Sequence, residues 1–128
     1  TLDNDEYEFF LSPDFRLTFD RYLPSGGSVS SVYAVLPDKW QHIVIIKNEL
    51  EEKVKFYING ILDSIVPYTE KYTGNNSSFV TIGRSGVSSS DGTSDPWRSF
   101  FGFIDDVRIY NRALSQAEIT KLYESYNK

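Results

Sequence analysis

Asn59-Gly60 stands midway along Lys53 to Val66, a stretch otherwise rich in branched and aromatic residues. A two-residue type I′ turn needs positive φ at both central positions, which Asn and Gly tolerate best, so the pair predicts a tight hairpin. Similar runs recur at short intervals, each bounded by turn residues. Tyr7 to Leu11 and Phe15 to Phe19 flank Ser12-Pro13-Asp14, and Val29 to Val35 follows Pro24-Ser25-Gly26-Gly27-Ser28. Trp40 to Lys47 leads into the acidic turn Asn48 to Glu52, and Phe79 to Arg84 precedes the longest loop, Ser85 to Ser99. Turn signals this closely spaced predict an all-β antiparallel sandwich rather than an α/β fold.

The C-terminal stretch changes period. Phe103, Asp105, Val107 and Ile109 share one face of an expected strand, and Ile104, Asp106, Arg108 and Tyr110 the other. Asn111 and Arg112 turn the chain. Ser115 and Glu118, three residues apart, have the spacing of a capping box, and Leu114 and Ile119 that of a hydrophobic staple. Ile119, Leu122 and Tyr123 continue as a short helical stripe. One substantial helix is therefore expected, from Ser115 to about Tyr123, closing the domain.

Composition narrows the functional classes. An apolar content of 40% with 16% aromatics is ample for a core, and 128 residues suit one domain, 1–128. A net charge of −5 and a pI near 4.8 speak against nucleic acid, which needs a basic footprint, and against anionic membranes. No apolar stretch approaches the ~20 residues of a membrane helix, so no membrane insertion is expected. The absence of cysteine removes disulfides and thiolate zinc sites. It fits a cytosolic protein or a bacterial exported domain stable without cross-links. With no methionine at position 1, Thr1 is expected to be a cut rather than a start.

Four segments together carry a resemblance. Gly102-Phe103-Ile104-Asp105-Asp106-Val107-Arg108-Ile109-Tyr110 and the helix after it resemble the C-terminal signature of laminin-G-like domains, in the concanavalin A-like lectin/glucanase superfamily. Trp40-Gln41-His42-Ile43-Val44-Ile45 is similar to that family's W-x-H strand, Phe56-Tyr57-Ile58-Asn59-Gly60 to its YxNG hairpin, and Val80-Thr81-Ile82-Gly83-Arg84 to its xIGR strand. The resemblance implies a jelly roll with one short C-terminal helix, in an extracellular or cell-surface setting. Such domains open with more strands than fit before Ser30. The implied front strands are thus expected to be missing, and another chain or domain to cover the N-terminal edge.

Catalytic patterns are scarce. The sole histidine, His42, opens an apolar strand, and no G-x-S-x-G accompanies it. It is expected to be buried, with its ring hydrogen-bonded to backbone. The glucanase branch of the superfamily carries an alternating E-x-D-x-E, which Glu49-Leu50-Glu51-Glu52 does not match, so no enzyme is expected. Asp105 falls on the core-directed face, where a carboxylate must be paired, hydrogen-bonded or coordinated. It is either a structural Ca²⁺ ligand, as relatives of this family carry, or an anchor for backbone N–H groups, Arg84 or Arg108.

Binding residues are sought in the long loop. Trp97 offers a flat face for a sugar ring, and Arg98 and Asp95 can fork hydrogen bonds to hydroxyls. The same Trp97 can instead plug the end of the sandwich. Tyr68 and Tyr72 form a second candidate platform, or ordinary edge-strand aromatics. The expected function is a non-catalytic module recognising carbohydrate, the alternative a structural or adhesion domain that contacts protein. The partner is accordingly a glycan or an extracellular protein.

Overall fold

Asn59 and Gly60 both have positive φ, 52° and 78°, and close the tight turn that their types predict. The structure, a computed structural model, describes residues 7–20, 27–69, 80–83 and 99–126. Tyr72, Asp95, Trp97 and Arg98 lie outside these. The described elements are β1 (Glu8–Leu11), β2 (Arg16–Asp20), β3 (Val29–Ala34), β4 (Ile43–Asn48), β5 (Lys53–Ile58), β6 (Ile61–Pro67) and α1 (Gln116–Tyr126). They form two three-stranded antiparallel sheets, ordered β1-β2-β3 and β4-β5-β6.

Strand alternation puts both faces of the second sheet to use. Val54 and Phe56 of β5 point toward the first sheet and pack with Leu17 and Phe19 of β2 and with Tyr68. Ile43 and Ile45 of β4 join that layer. The intervening residues turn the other way: Tyr57 and Ile46 pack with Leu114 and Ile119 beneath the helix, and Val44 and Leu122 lie against them. The layers therefore run sheet, sheet, helix, and β5 is the strand buried on both sides. Phe56 and Val54 are fully enclosed.

The two sheets are also tied by a polar clasp. Arg16 pairs with Ala34 but Thr18 with Ser30, so β3 bulges between them. Ser31 Oγ accepts the Leu17 N–H at 3.0 Å and donates to the Tyr33 carbonyl at 2.8 Å. Asp63, across on β6, accepts the N–H groups of Val32 at 2.7 Å and Tyr33 at 2.9 Å. One carboxylate thus satisfies two donors that the bulge takes out of the ladder.

The helix begins as its sequence predicts. Ser115 Oγ accepts the Glu118 N–H at 3.3 Å, and Glu118 Oε2 accepts the Ser115 N–H at 2.8 Å. Leu114 and the fully buried Ile119 form the staple. Arg112 grips the other side of Glu118 with two hydrogen bonds, 3.0 and 2.6 Å. The Arg112 hydrogen bond first, and then the Ser115 N–H and hydroxyl, push the Glu118 carboxyl from 4.5 down to about 2. The helix then docks on the hairpin tip: Gln116 Nε2 donates to the Gly60 carbonyl at 2.8 Å, and a Cβ on Gly60 would meet the Tyr123 ring at 3.0 Å. It runs on to Tyr126, three residues past its predicted end.

Two expected strands do not form. Residues 80–83 and 103–110 have no ladder partner among the described residues, and Phe100 N–H reaches only the Gly83 carbonyl, at 2.8 Å. Asp106 has a φ of 51°, which breaks the extended alternation in the middle of the second segment. Phe103, Val107 and Ile109 are consequently exposed instead of core-facing.

Three outcomes follow from this packing. Phe56→Ala should cost about 3–5 kcal/mol in denaturant titration, because the cavity lies between two sheets that cannot collapse onto it. Ser115→Ala should cost about 1 kcal/mol, since the Glu118 N–H then loses its acceptor. Because the Glu118 carboxyl titrates lower in the folded chain, the unfolded chain takes up the proton first as pH falls. The stabilisation is complete above pH 4.5 and is lost on the way down to about 2. Glu118→Gln should flatten that acid limb; a slope equal to that of the wild type would contradict the capping account.

Candidate functional site

The chain enters β4 beside the hairpin tip, and this junction builds an exposed aromatic surface. The His42 N–H donates to Asn59 Oδ1 at 3.0 Å and the Asn59 N–H to the His42 carbonyl at 2.8 Å. Gln41 Nε2 donates to the Leu36 carbonyl at 2.7 Å. With the His42 backbone and the Gln41 side chain held in this way and β4 starting only at Ile43, Trp40 precedes the ladder and remains 70% exposed. Phe103, 86% exposed, approaches it with ring centroids 6.5 Å apart and planes at 39°.

A second aromatic group adjoins the first through His42. Its imidazole lies 6.1 Å from the Tyr123 ring and 5.8 Å from the Tyr126 ring. The Arg108 guanidinium stands 5.9 Å from the Tyr126 ring centre, within reach of a cation–π attraction, and 3.8 Å from the Asp106 carboxylate. Asp106 and Arg108 share a face of the expected strand as well. Burial first, then the nearby Arg108 charge, lowers the His42 pKa from its usual 6.5. The Tyr110 hydroxyl, ahead of other causes, raises that of Arg108. Partial desolvation raises the Tyr126 phenol, with Arg108 pulling the other way and Asp106 adding to the rise.

The arrangement presents flat apolar faces edged by one cation and one carboxylate. Such a surface can stack an apolar ring face and hydrogen-bond the hydroxyls around it. Nothing in it resembles a nucleophile with an adjacent base. His42 differs from its expectation: it is half-buried, its backbone makes the hydrogen bonds, and its Nδ1 has no partner among the described residues.

Other expected site residues stand elsewhere. Tyr68 is only 4% exposed and packs edge-on against Phe19 with centroids at 5.3 Å, so it is core and offers no platform. The Tyr68 N–H donates to the Glu52 carbonyl at 2.7 Å, which continues the β5–β6 register past Pro67, so Tyr68 follows Val66 by alternation onto the core face. Asp105 is exposed rather than core-directed, and its Oδ1 accepts the Asp106 N–H at 2.8 Å, stabilising the local turn. No group of three His, Cys, Asp or Glu side chains converges among the described residues. Those residues do not supply a calcium site around Asp105.

Trp40 and Phe103 were missed as surface residues because each sat inside a predicted strand. Trp40 had a signal that could have found it: β4 needs only Ile43 onward to satisfy both apolar layers.

A family model of the concanavalin A-like lectin/glucanases superfamily, of laminin G type, matches residues 1–120. The chain belongs to that superfamily. The laminin-G-like chain is 23% identical over 124 residues to the pentraxin fusion protein of Xenopus laevis, covering 97% of this chain and 29% of that protein. It is 29% identical over 104 residues to the botulinum-like toxin eBoNT/J of Enterococcus sp. (strain 3G1_DIV0629), covering 81% of this chain and 7% of the toxin. It therefore spans less than a third of either relative. Among solved structures, residues 221–444 of an S-layer domain-containing protein from Clostridium thermocellum superpose with a TM-score of 0.56 at 24% identity, over 94% of this chain and 57% of that one. This last likeness supports the sandwich fold.

Stability should separate the exposed and buried aromatics of the laminin-G-like chain. Trp40→Ala should move unfolding free energy by no more than about 0.5 kcal/mol, as for other surface changes. Tyr68→Ala should cost about 3–5 kcal/mol, as for other buried aromatic rings. The reverse order in denaturant titration would show that the surface and the core have been misassigned.

Proposed function

We propose that this chain is a non-catalytic binding module of a secreted or cell-surface protein and that it recognises carbohydrate. The observation that carries the reading is the exposed Trp40–Phe103 pair; Arg108 and Asp106, 3.8 Å from each other, follow Phe103 in the same exposed segment. Exposed aromatic rings are costly to leave in water and useful mainly when something stacks on them. Membership in a lectin-containing superfamily agrees with it. A non-catalytic role is supported by the environment of His42, whose ring faces two tyrosines and a cation. The expected loop residues Trp97, Arg98 and Asp95 lie outside the described residues, and the proposal does not depend on them.

A second reading has an observation of its own. Phe101, Phe103, Val107 and Ile109 are exposed along one continuous segment, which suits contact with protein as in an adhesion or structural domain. Under that reading another chain or domain covers this segment, and sugar is not the ligand.

A glycan array followed by titration of the best binder distinguishes the two. The carbohydrate reading expects saturable binding that Trp40→Ala or Phe103→Ala weakens by about 1 kcal/mol or more, the worth of a lost aromatic stack, without lowering the melting temperature. Silence across the array, with both variants behaving like wild type in every binding assay, would leave the adhesion reading in its place.

A further inference from the structure

His42 is the one histidine of the chain, and it stands at the root of the aromatic surface. Two tyrosines of the last turns of α1 face its ring, Tyr123 and Tyr126. From residues 106–110 the facing charge is Arg108, itself engaged with Asp106 and Tyr110. From the hairpin tip comes Asn59, whose side chain is bound to the His42 backbone and not to the ring. The ring nitrogen Nδ1 is buried and has no hydrogen-bond partner among the described residues.

Those facts distinguish the two protonation states. In the neutral ring Nδ1 can remain a bare lone pair, with the hydrogen on Nε2. Protonation places a second N–H at Nδ1, buried, without an acceptor, and close to a guanidinium. Among the described residues no carboxylate meets the ring on that side: Asp106 faces Arg108 and Tyr126. The charged ring can relieve both penalties by separating from Tyr123 and Tyr126, that is, by letting the last turn of α1 lift off β4.

We infer that His42 is a proton switch on the aromatic surface: when neutral it seats the last turn of α1 against its ring, and when charged it releases that turn. This inference rests on the reading of the surface as a ligand site. The sign follows from the environment. Burial and Arg108 lower the pKa of the seated ring from 6.5, so the released state takes up the proton first and acidification favours release. Ligand binding should then be strong near neutral pH and fade as the solution becomes mildly acidic, the range in which histidine charge changes.

The test compares about pH 7.5 with about pH 5 on the whole chain. Amide exchange in Leu122 to Tyr126, corrected for its intrinsic pH dependence, should lose roughly tenfold in protection at the lower pH in wild type, as for a locally opening segment. His42→Phe keeps the ring packing without the proton and should show no such loss. Arg108→Gln, an exposed change, removes the repelling cation: the seated ring should then titrate at higher pH, read by the His42 ring signal in NMR, and the loss of protection at the lower pH should shrink. Equal protection at both pH values, or the same loss in His42→Phe, overturns the switch. Cellohexaose as a neutral sugar probe gives the second arm. Binding at pH 7.5 that persists unchanged at pH 5 also overturns it. Protection lost in the expected way, with no glycan bound at either pH, instead leaves the switch standing and removes the carbohydrate reading.

Discussion

Everything in this molecule leans on β5 having two apolar faces. Val54 and Phe56 close the space between the sheets, while Tyr57 anchors the layer beneath α1. A strand in the middle of a three-stranded sheet can do this because its backbone groups are satisfied on both sides by β4 and β6. Neither outer layer has a core of its own. The first sheet contributes Leu17 and Phe19 to the inter-sheet layer, and the helix contributes Leu114 and Ile119 to the other. Burial of large side chains is the main favourable term in folding, so the layers assemble around β5 or not at all.

The binding surface is a by-product of how that strand ends. Positive φ at Asn59 and Gly60 turns β5 sharply into β6, and the side chain of Asn59 then holds the backbone that enters β4. Gln116 and Tyr123 seat the helix on the same turn. Three separate stretches of chain thus converge where the sheet stops, and aromatics that no ladder needs are left facing outward. Rigid support beneath mobile chemistry is the usual arrangement for a recognition surface, since less ordering is required when a ligand arrives. The Asp63 clasp works at a different place, fixing how the first sheet sits on the second.

Local chemistry made much of this legible in the sequence. Asn59-Gly60 gave the hairpin because few other pairs tolerate its backbone, and Ser115 with Glu118 gave the helix start because both partners of the cap lie within one turn. The strands over Phe15 to Phe19 and Lys53 to Val66 were legible too, though not that β5 would be the one buried on both faces. Residues 103–110 misled for the opposite reason. Their alternation is that of a strand, but pairing depends on a neighbour that sequence cannot supply, and Asp106 adopts a left-handed conformation open to aspartate. Once the segment leaves the ladder, Asp105 loses its core-directed position and Phe103 becomes surface. Tyr68 erred in the other direction: it continues the β6 alternation two residues past Val66 onto the core face, a signal hidden by ending the expected strand at Val66.

Native-state amide exchange measures the dependence on β5 most directly. If both layers rest on that strand, the amides of Val54 to Tyr57 should exchange only through global unfolding, with the full unfolding free energy, while β1 and α1 exchange through smaller local openings. A chain in which α1 or β1 is as protected as β5, or in which β5 exchanges while the first sheet stays closed, would contradict the account.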